Sequence, residues 1–348
     1  QEIMVFLDLV QDLDLILPVI VGLRKSGWNL RVVVSSWLMK RSPRVGQELA
    51  RHGFAAEVVS RDAVLSAQAP DLSNVCAVIS PAESSLSAHL RAHVLFQRAK
   101  REGLPTFSFQ HGLENIGLSA VMNGANAGAG VDIGSDHLLV WFSSATPSAA
   151  SATLQPRLAH VGRIPSAKTD ASDLRSALTG FDETIAIFEN LHWDRYDRPW
   201  RTRFLEDCIA FAGERPQSAV ILKPHHAGLW SLKNAHLFDD WPNNLILADP
   251  TEASWEPFTA PALLQLADLI ITTPSTVALD AAEAGLPVAV AAYGMDLPHY
   301  SPLPLLQSLS DWRVFAASRH STSLARNRSL FVDRHTTCDD PLKACIDY

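Results

Sequence analysis

The chain has 348 residues, 47% hydrophobic and 19% charged, which is enough for two domains with separate cores, since roughly 100 to 200 residues make one. Its formal net charge of −8 excludes a general nucleic-acid binder, which would carry a basic domain or stripe. Cys76, Cys208, Cys338 and Cys345 are scattered without a ligand-set or CxxC spacing, so neither a structural metal site nor a disulfide framework is expected.

Short β-rich apolar runs alternate with longer stretches of helical spacing, the pattern of a parallel sheet covered by helices on both faces and hence of an α/β protein. Ile3–Leu9 reads as the first strand and Leu13–Lys25 as a helix that stops at Gly27; Leu30–Ser35 is the second strand, and a helix around Val45–His52 stops at Gly53. Ala55–Val59, Val75–Ile79, Thr106–Gln110 and Leu138–Phe142 read as further strands, with a helix over Ser87–Glu102. Asn123–Gly134, rich in Gly, Ala and Asn, reads as a loop. After the strand-like His160–Gly162, the polar stretch Ser166–Ser172 marks a boundary between a domain over 1–165 and one over 166–348.

In the second half the strands are Thr184–Glu189, Ala219–Lys223, Leu245–Ala248, Leu269–Thr272 and Val288–Ala292, separated by helices over Trp200–Gly213, Pro261–Ala267 and Thr276–Ala284. The tail beyond Asp311 shows no clear pattern and is free to return to the first domain. No run of eighteen apolar residues and no signal-peptide layout occurs. A cytoplasmic protein is therefore expected, and peripheral contact with the inner membrane surface is compatible with that.

Ligands of open α/β sheets bind beyond the carboxyl ends of the strands, and four strand ends carry reactive side chains. Gln110-His111-Gly112 places an imidazole with a near-neutral ordinary pKa where it can act as a general base, or cap the next helix. Lys223-Pro224-His225-His226 offers cationic and imidazole donors to a phosphate and to the charge developing on a nucleotide leaving group, or a lysine paired with a surface carboxylate. Thr272-Thr273-Pro274-Ser275-Thr276 leads into a helix ending in Glu283-Ala284-Gly285-Leu286-Pro287, giving hydroxyls and free N–H groups to a pyrophosphate and acids, Asp280 and Glu283, to a ribose. Phe188 to Asp194 is either a ligand-lining turn, with Glu189, His192 and Trp193 as its reactive or stacking groups, or a rigid interdomain turn. Asp8, Asp12 and Asp14 follow the first strand as acceptor-binding groups or helix caps. No G-x-G-x-x-G follows the first strand and no GxxxxGK[ST] occurs, so dinucleotide dehydrogenase and P-loop kinase readings lose their support.

Together these motifs resemble the GT-B superfamily, in particular the bacterial glycerophosphate and glycosyl transferases of teichoic acid and capsule synthesis. His111-Gly112 is similar to a His-Gly pair of the N-terminal domain there, although Phe109-Gln110 precedes it in place of a Trp. Lys223-Pro224-His225-His226 is similar to a Lys/Arg-Pro-His-Pro motif of the C-terminal domain, with His226 replacing the last proline. Thr272–Pro287 resembles the donor-nucleotide helix shared with the UDP-GlcNAc 2-epimerases. The resemblance implies two Rossmann-like domains with parallel sheets facing each other across a cleft, the first for the acceptor and the second for the donor. It further implies a UDP-, CDP- or CMP-linked sugar as co-substrate, a glycan or lipid-linked acceptor, and no additional cofactor or metal.

Under that resemblance Asp280 is the ribose-binding acid and Ser275 and Thr276 are the diphosphate contacts, with Lys223, His225, Thr273 and Glu283 completing the donor site. His111 would deprotonate the acceptor, with Asp8 and Glu189 as the accompanying carboxylates; in a retaining reaction Asp8, Glu114 or Glu189 would be the nucleophile or ion-pair partner instead. The expected function is glycosyl transfer in bacterial surface-polysaccharide synthesis. The alternatives are a sugar-nucleotide 2-epimerase or hydrolase, which needs carboxylates around the sugar and no acceptor site, and a non-catalytic polysaccharide-assembly protein.

Overall fold

The structure, a computed structural model, describes residues 1–114, 131–141, 154–167, 170–238, 240–336 and 338–348, and its internal contacts gather into two compact units. The first contains β1 (Glu2–Leu7), α1 (Asp12–Lys25), β2 (Leu30–Ser35), α2 (Ser36–Arg41), α3 (Pro43–Arg51), β3 (Ala56–Val59), α4 (Arg61–Leu65), β4 (Val75–Ser80), α5 (Leu90–Arg101), β5 (Thr106–Phe109), β6 (His137–Val140) and β7 (Leu158–His160). Its strands form a parallel sheet in the order β3-β2-β1-β4-β5-β6-β7. Strands in such a sheet are buried on both faces and therefore read as continuous apolar runs. In β1, Ile3, Val5 and Leu7 pack with Leu13, Ile16 and Ile20 of α1, while Met4 and Phe6 pack on the other face with Leu95 and Phe96 of α5.

Pro18 lies inside α1, where a proline cannot donate to the carbonyl four residues earlier. That carbonyl, on Asp14, accepts the Ala167 N–H instead, at 3.2 Å. The main run of the first unit ends at Ala167.

The second unit contains α6 (Ser172–Ala177), β8 (Glu183–Glu189), α7 (Arg198–Gly213), β9 (Ser218–Pro224), α8 (Trp230–Asn234), β10 (Leu245–Leu247), α9 (Ala260–Leu264), β11 (Leu269–Thr272), α10 (Val277–Glu283), β12 (Val288–Ala291), β13 (Leu305–Leu306), α11 (Leu309–Ala317) and α12 (Thr322–His335). The sheet order is β10-β9-β8-β11-β12-β13, again parallel. Ile185, Ile187, Val220 and Leu222 from the sheet pack with Phe204, Cys208 and Phe211 of α7 and Trp312 of α11. Cys208 is thus a core side chain.

The segment that defied reading is helical: α11 and α12 finish the second unit, and from Thr336 the chain rejoins the first. There α13 (Pro341–Asp347) lies on α1 so closely that a Cβ on Gly22 would sit 2.3 Å from Ile346 Cδ1. Gly162, with a positive φ of 81°, lets the chain pass Cys338, whose Cβ would lie 2.5 Å from an added Cβ. Among the described residues no helix is long and apolar enough to cross a membrane.

Two expectations need correcting. The helix expected over Ser87–Glu102 begins only at Leu90, because residues 81–89 are committed to other contacts: Ser84 Oγ pairs with His89, and Ser85 exchanges hydrogen bonds with Asp132. Leu138–Phe142 ends as a strand at Val140, and Phe142 lies outside the described residues, as do positions 123–130 of the expected Asn123–Gly134 loop.

Candidate functional site

In both sheets the winding direction reverses between two central strands, β1 and β4 in the first and β8 and β11 in the second. Such a reversal opens a crevice beyond the carboxyl ends of those strands. In the second unit it is framed by residues 189–196 after β8 and 273–276 after β11.

Asn190 and Thr273 hold these two turns together. Thr273 Oγ1 donates to Asn190 Oδ1 at 2.7 Å and accepts from the Asn190 N–H at 3.0 Å, while Asn190 Nδ2 donates to the Pro274 carbonyl at 2.6 Å. Tyr196 and Arg195 add donors to Asn190 Oδ1 and to the Pro274 carbonyl. The Thr273 hydroxyl is fully buried in this brace, so its assignment as a donor-phosphate contact is withdrawn. Ser275 keeps a more open position: its Oγ accepts the Val277 N–H at 3.2 Å and lies 3.0 Å from Thr272 Oγ1. Asp280 is half-buried one turn into α10, and Glu283 is exposed at its end.

Glu189 also leaves the catalytic set. Its carboxylate is 4% exposed, with one oxygen accepting the Leu191 N–H at 2.7 Å and the other the Ser231 hydroxyl at 2.7 Å. Burial pushes its pKa up, and the group ties the end of β8 to α8. A nucleophile needs free access to an electrophilic carbon, which this carboxylate lacks. Lys223 is buried too, its ammonium donating to the Trp255 carbonyl at 3.3 Å rather than standing at the strand tip.

What the crevice does present is a stack of imidazoles. His192, from the turn after β8, lies face to face with His225, with centroids 4.5 Å apart, and His225 with His226 at 4.2 Å. His225 Nδ1 accepts the Ala227 N–H at 3.2 Å, which leaves the proton of a neutral ring on Nε2. His192 Nδ1 is buried without a partner among the described residues. Burial, with Arg201 and Arg195 nearby, pushes His192 down to about 4, and burial with the two neighbouring rings pushes His225 well below its ordinary value. An anion beside His192 and His225 would favour their charged forms and so oppose the effect of Arg201 and Arg195 on the first and of the neighbouring rings on the second. Stacked in this way the three rings are not a ligand set for a metal, and no group of three His, Cys, Asp or Glu among the described residues is. Trp193 packs its ring against the core of the second unit and lies edge-on to His192 at 6.1 Å.

In the first unit, Asp8 at the end of β1 is 4% exposed and held by two guanidinium groups, Arg61 Nε at 2.7 Å and Arg91 Nε at 2.9 Å. It is a charge anchor rather than a base or nucleophile. Asp12 Oδ2 accepts the N–H groups of Asp8 and Leu9, and Asp14 pairs with Arg44 at 2.8 Å. His111 follows β5 as expected, on a backbone fixed by Gln110, whose side chain joins the Gly112 carbonyl and the Trp141 N–H. Its ring is not poised near neutrality, however. Burial first and His89 second push it down to about 3, with the Phe109 carbonyl acting in the opposite direction. His111 is thus a neutral imidazole across the physiological range.

No protein-family model and no curated protein matches the sequence. Solved structures do match it from end to end. The UDP-GlcNAc 2-epimerase from Neisseria meningitidis, bound to UDP-GlcNAc, covers 100% of this chain and 99% of its own at a TM-score of 0.69 and 10% identity. The wall teichoic acid polymerase TagF covers 99% and 86% at a TM-score of 0.62 and 14% identity, and the UDP-GlcNAc 2-epimerase from Methanocaldococcus jannaschii 100% and 98% at 0.60 and 11%. The chain has a GT-B fold. Each unit is one of the two Rossmann-like domains of that fold, and each strand reversal is the position at which GT-B sheets, like other open α/β sheets, offer a binding crevice. Ser84 and His89 in the first unit, and Asn190 and Arg195 in the second, are polar residues after strand ends that sequence reasoning passed over; Asn190, next to Glu189 at a strand end, was the one with a positional signal.

Proposed function

We propose that this GT-B chain is a cytoplasmic glycosyltransferase that moves a sugar from a UDP-, CDP- or CMP-linked donor to a hydroxyl of a glycan or lipid-linked acceptor in bacterial surface-polysaccharide synthesis. The observation that carries the reading is the imidazole stack of His192, His225 and His226, with Arg195 and Arg201 near His192. These groups meet the charge that gathers on a departing nucleotide phosphate without a metal. Thr276, Asp280 and Glu283 extend the same strand end toward a ribose. In the reaction the bond from the anomeric carbon to the donor phosphate breaks, its electron pair leaving with the nucleotide. The acceptor oxygen bonds to that carbon, and its proton passes to neutral His111 as the oxygen becomes acidic.

Engagement of Asp8 by two guanidinium groups and of Glu189 by Ser231 and the Leu191 N–H removes two of the carboxylates that epimerisation or hydrolysis could use at the sugar ring. The test begins with calorimetric titration of UDP, GDP, CDP and CMP into the protein and its Ser275→Ala, His225→Ala and Asp280→Ala variants. One nucleotide is expected to bind, and each variant to weaken it roughly tenfold, the worth of one hydrogen bond to a charged group. Binding of none of the four sinks the reading. With the nucleotide known, release from its sugar-linked form is followed with and without acceptor glycan. Acceptor-dependent release is the transferase result, acceptor-independent release is epimerase or hydrolase behaviour, and binding without release marks an assembly protein.

A further inference from the structure

The loop after β4 and the turn after β5 bring three side chains of the first unit into one chain of contacts. Ser84 Oγ lies 2.7 Å from His89 Nδ1, and the His89 ring meets the His111 ring edge-on, with centroids 5.1 Å apart and planes at 89°. Ser84 and His89 are 3% and 9% exposed, so neither is a solvated surface group. The Leu86 N–H donates to Ser84 Oγ at 3.4 Å, so the hydroxyl that pairs with His89 Nδ1 is itself held by the backbone. On the other side, Gln110 fixes the backbone that carries His111. Rotation of the His111 ring is then the freedom that remains, met by the edge-on His89 ring and by the Phe109 carbonyl. His111 Nδ1 is buried and has no partner among the described residues, so the orientation of this ring is not set by a hydrogen bond of that nitrogen.

We propose that His89, oriented by Ser84, is a positioning residue that holds the His111 imidazole in the plane in which it meets the acceptor hydroxyl. The inference rests on the transferase reading of His111. The charged and titratable groups around the pair are Arg91 on α5, itself paired with Asp8 at the end of β1, and the facing ring of each histidine by the other; the Phe109 carbonyl faces His111 from β5. Burial and then Arg91 bring His89 down to about 4, so both rings are neutral in the range where the protein works.

The test uses a readout that does not depend on turnover. The ring C–H resonances of His111, assigned by comparison with His111→Gln, are followed by NMR from about pH 5.5 to 8, the range in which an ordinary histidine titrates. In the wild type they stay flat. In Ser84→Ala, and more so in His89→Phe, loss of the clamp lets water reach the ring. The His111 signals are then expected to move and to titrate inside that range, as relief of the desolvation returns the ring toward the ordinary histidine value. Nucleotide affinity should be unaltered, and kcat should fall roughly tenfold or more, within the range of acid–base contributions, at unchanged KM for the donor. His111 signals that keep their positions and pH response in both variants overturn the inference, and Ser84→Ala is mild enough to answer should His89→Phe fail to fold. Absence of turnover with every donor overturns the transferase reading instead, while the titration still reports whether His89 controls His111.

Discussion

Asp12 shows how much of a side chain's behaviour depends on its surroundings. Its Oδ2 accepts the N–H groups of Asp8 and Leu9 at 2.9 and 2.8 Å, while Oδ1 is buried without a partner among the described residues. Burial outweighs those two hydrogen bonds and pushes the carboxyl from its ordinary 3.8 up to about 7. With the folded pKa above the unfolded one, the protonated form favours folding. Its contribution is complete below about pH 3.8, falls as the pH rises through 7 and is absent beyond. Asp12→Asn cannot ionise, so its stability relative to wild type should rise by up to about 4 kcal/mol between acid and mildly alkaline pH, the full shift at 1.36 kcal/mol per unit. Urea unfolding of both proteins at several pH values reads this directly, and a difference that is constant with pH would refute it. The same lesson applies to the site. That a carboxylate follows β1 and another ends β8 was legible, as were His111, His225 and Ser275. That Asp8 is held by Arg61 and Arg91, that Glu189 is held by Ser231 and that Thr273 is held by Asn190 was not, because these partners lie 42 to 83 residues away along the chain.

At the scale of elements, the parallel strands were legible because burial on both faces writes them as apolar runs, and the long helices because their apolar stripe repeats. Short helices such as α2 and α4 were not, since one or two turns carry too few repeats to show a period. Close approach of two turns is equally silent in sequence. A Cβ on Gly228 would lie 2.1 Å from His192 Cβ and 3.1 Å from its Cα, so this glycine is what lets the turn after β9 touch the turn after β8. The neighbouring backbone cannot yield by an ångström without moving the end of a central strand. Gly228→Ala is therefore expected to lower stability by about 1 to 3 kcal/mol, the range for overpacking, and to part His192 from His225. Nucleotide affinity should fall with it. Calorimetry on the variant checks this, and wild-type affinity in a protein carrying the stability loss would remove the stack from the binding site.

For the molecule as a whole, the alternation of strands and helices announced two domains of one class, but the path of the last segment was hidden because the packing that places it is with residues far back in the chain. Leu342, Cys345 and Ile346 pack into the core of the first unit, and Tyr348 OH lies 2.8 Å from His137 Nδ1. Removing Thr336–Tyr348 withdraws these apolar side chains and bares the face of α1 at Gly22. At about 1.5 to 3 kcal/mol for each large buried side chain, the first unit should lose several kcal/mol, a large share of the stability of a typical domain. The second unit, which ends at His335, keeps its sheet and the imidazole stack. Because two units with separate cores need not unfold together, scanning calorimetry of the truncated chain should show a first-unit transition at a markedly lower temperature and a second-unit transition near its original one. Nucleotide, acting only through the folded second unit, should raise the latter in proportion to the logarithm of its concentration. If truncation lowered both transitions equally, the stability of the donor side would depend on the first unit, and the nucleotide effect would have to be read as a property of the whole chain.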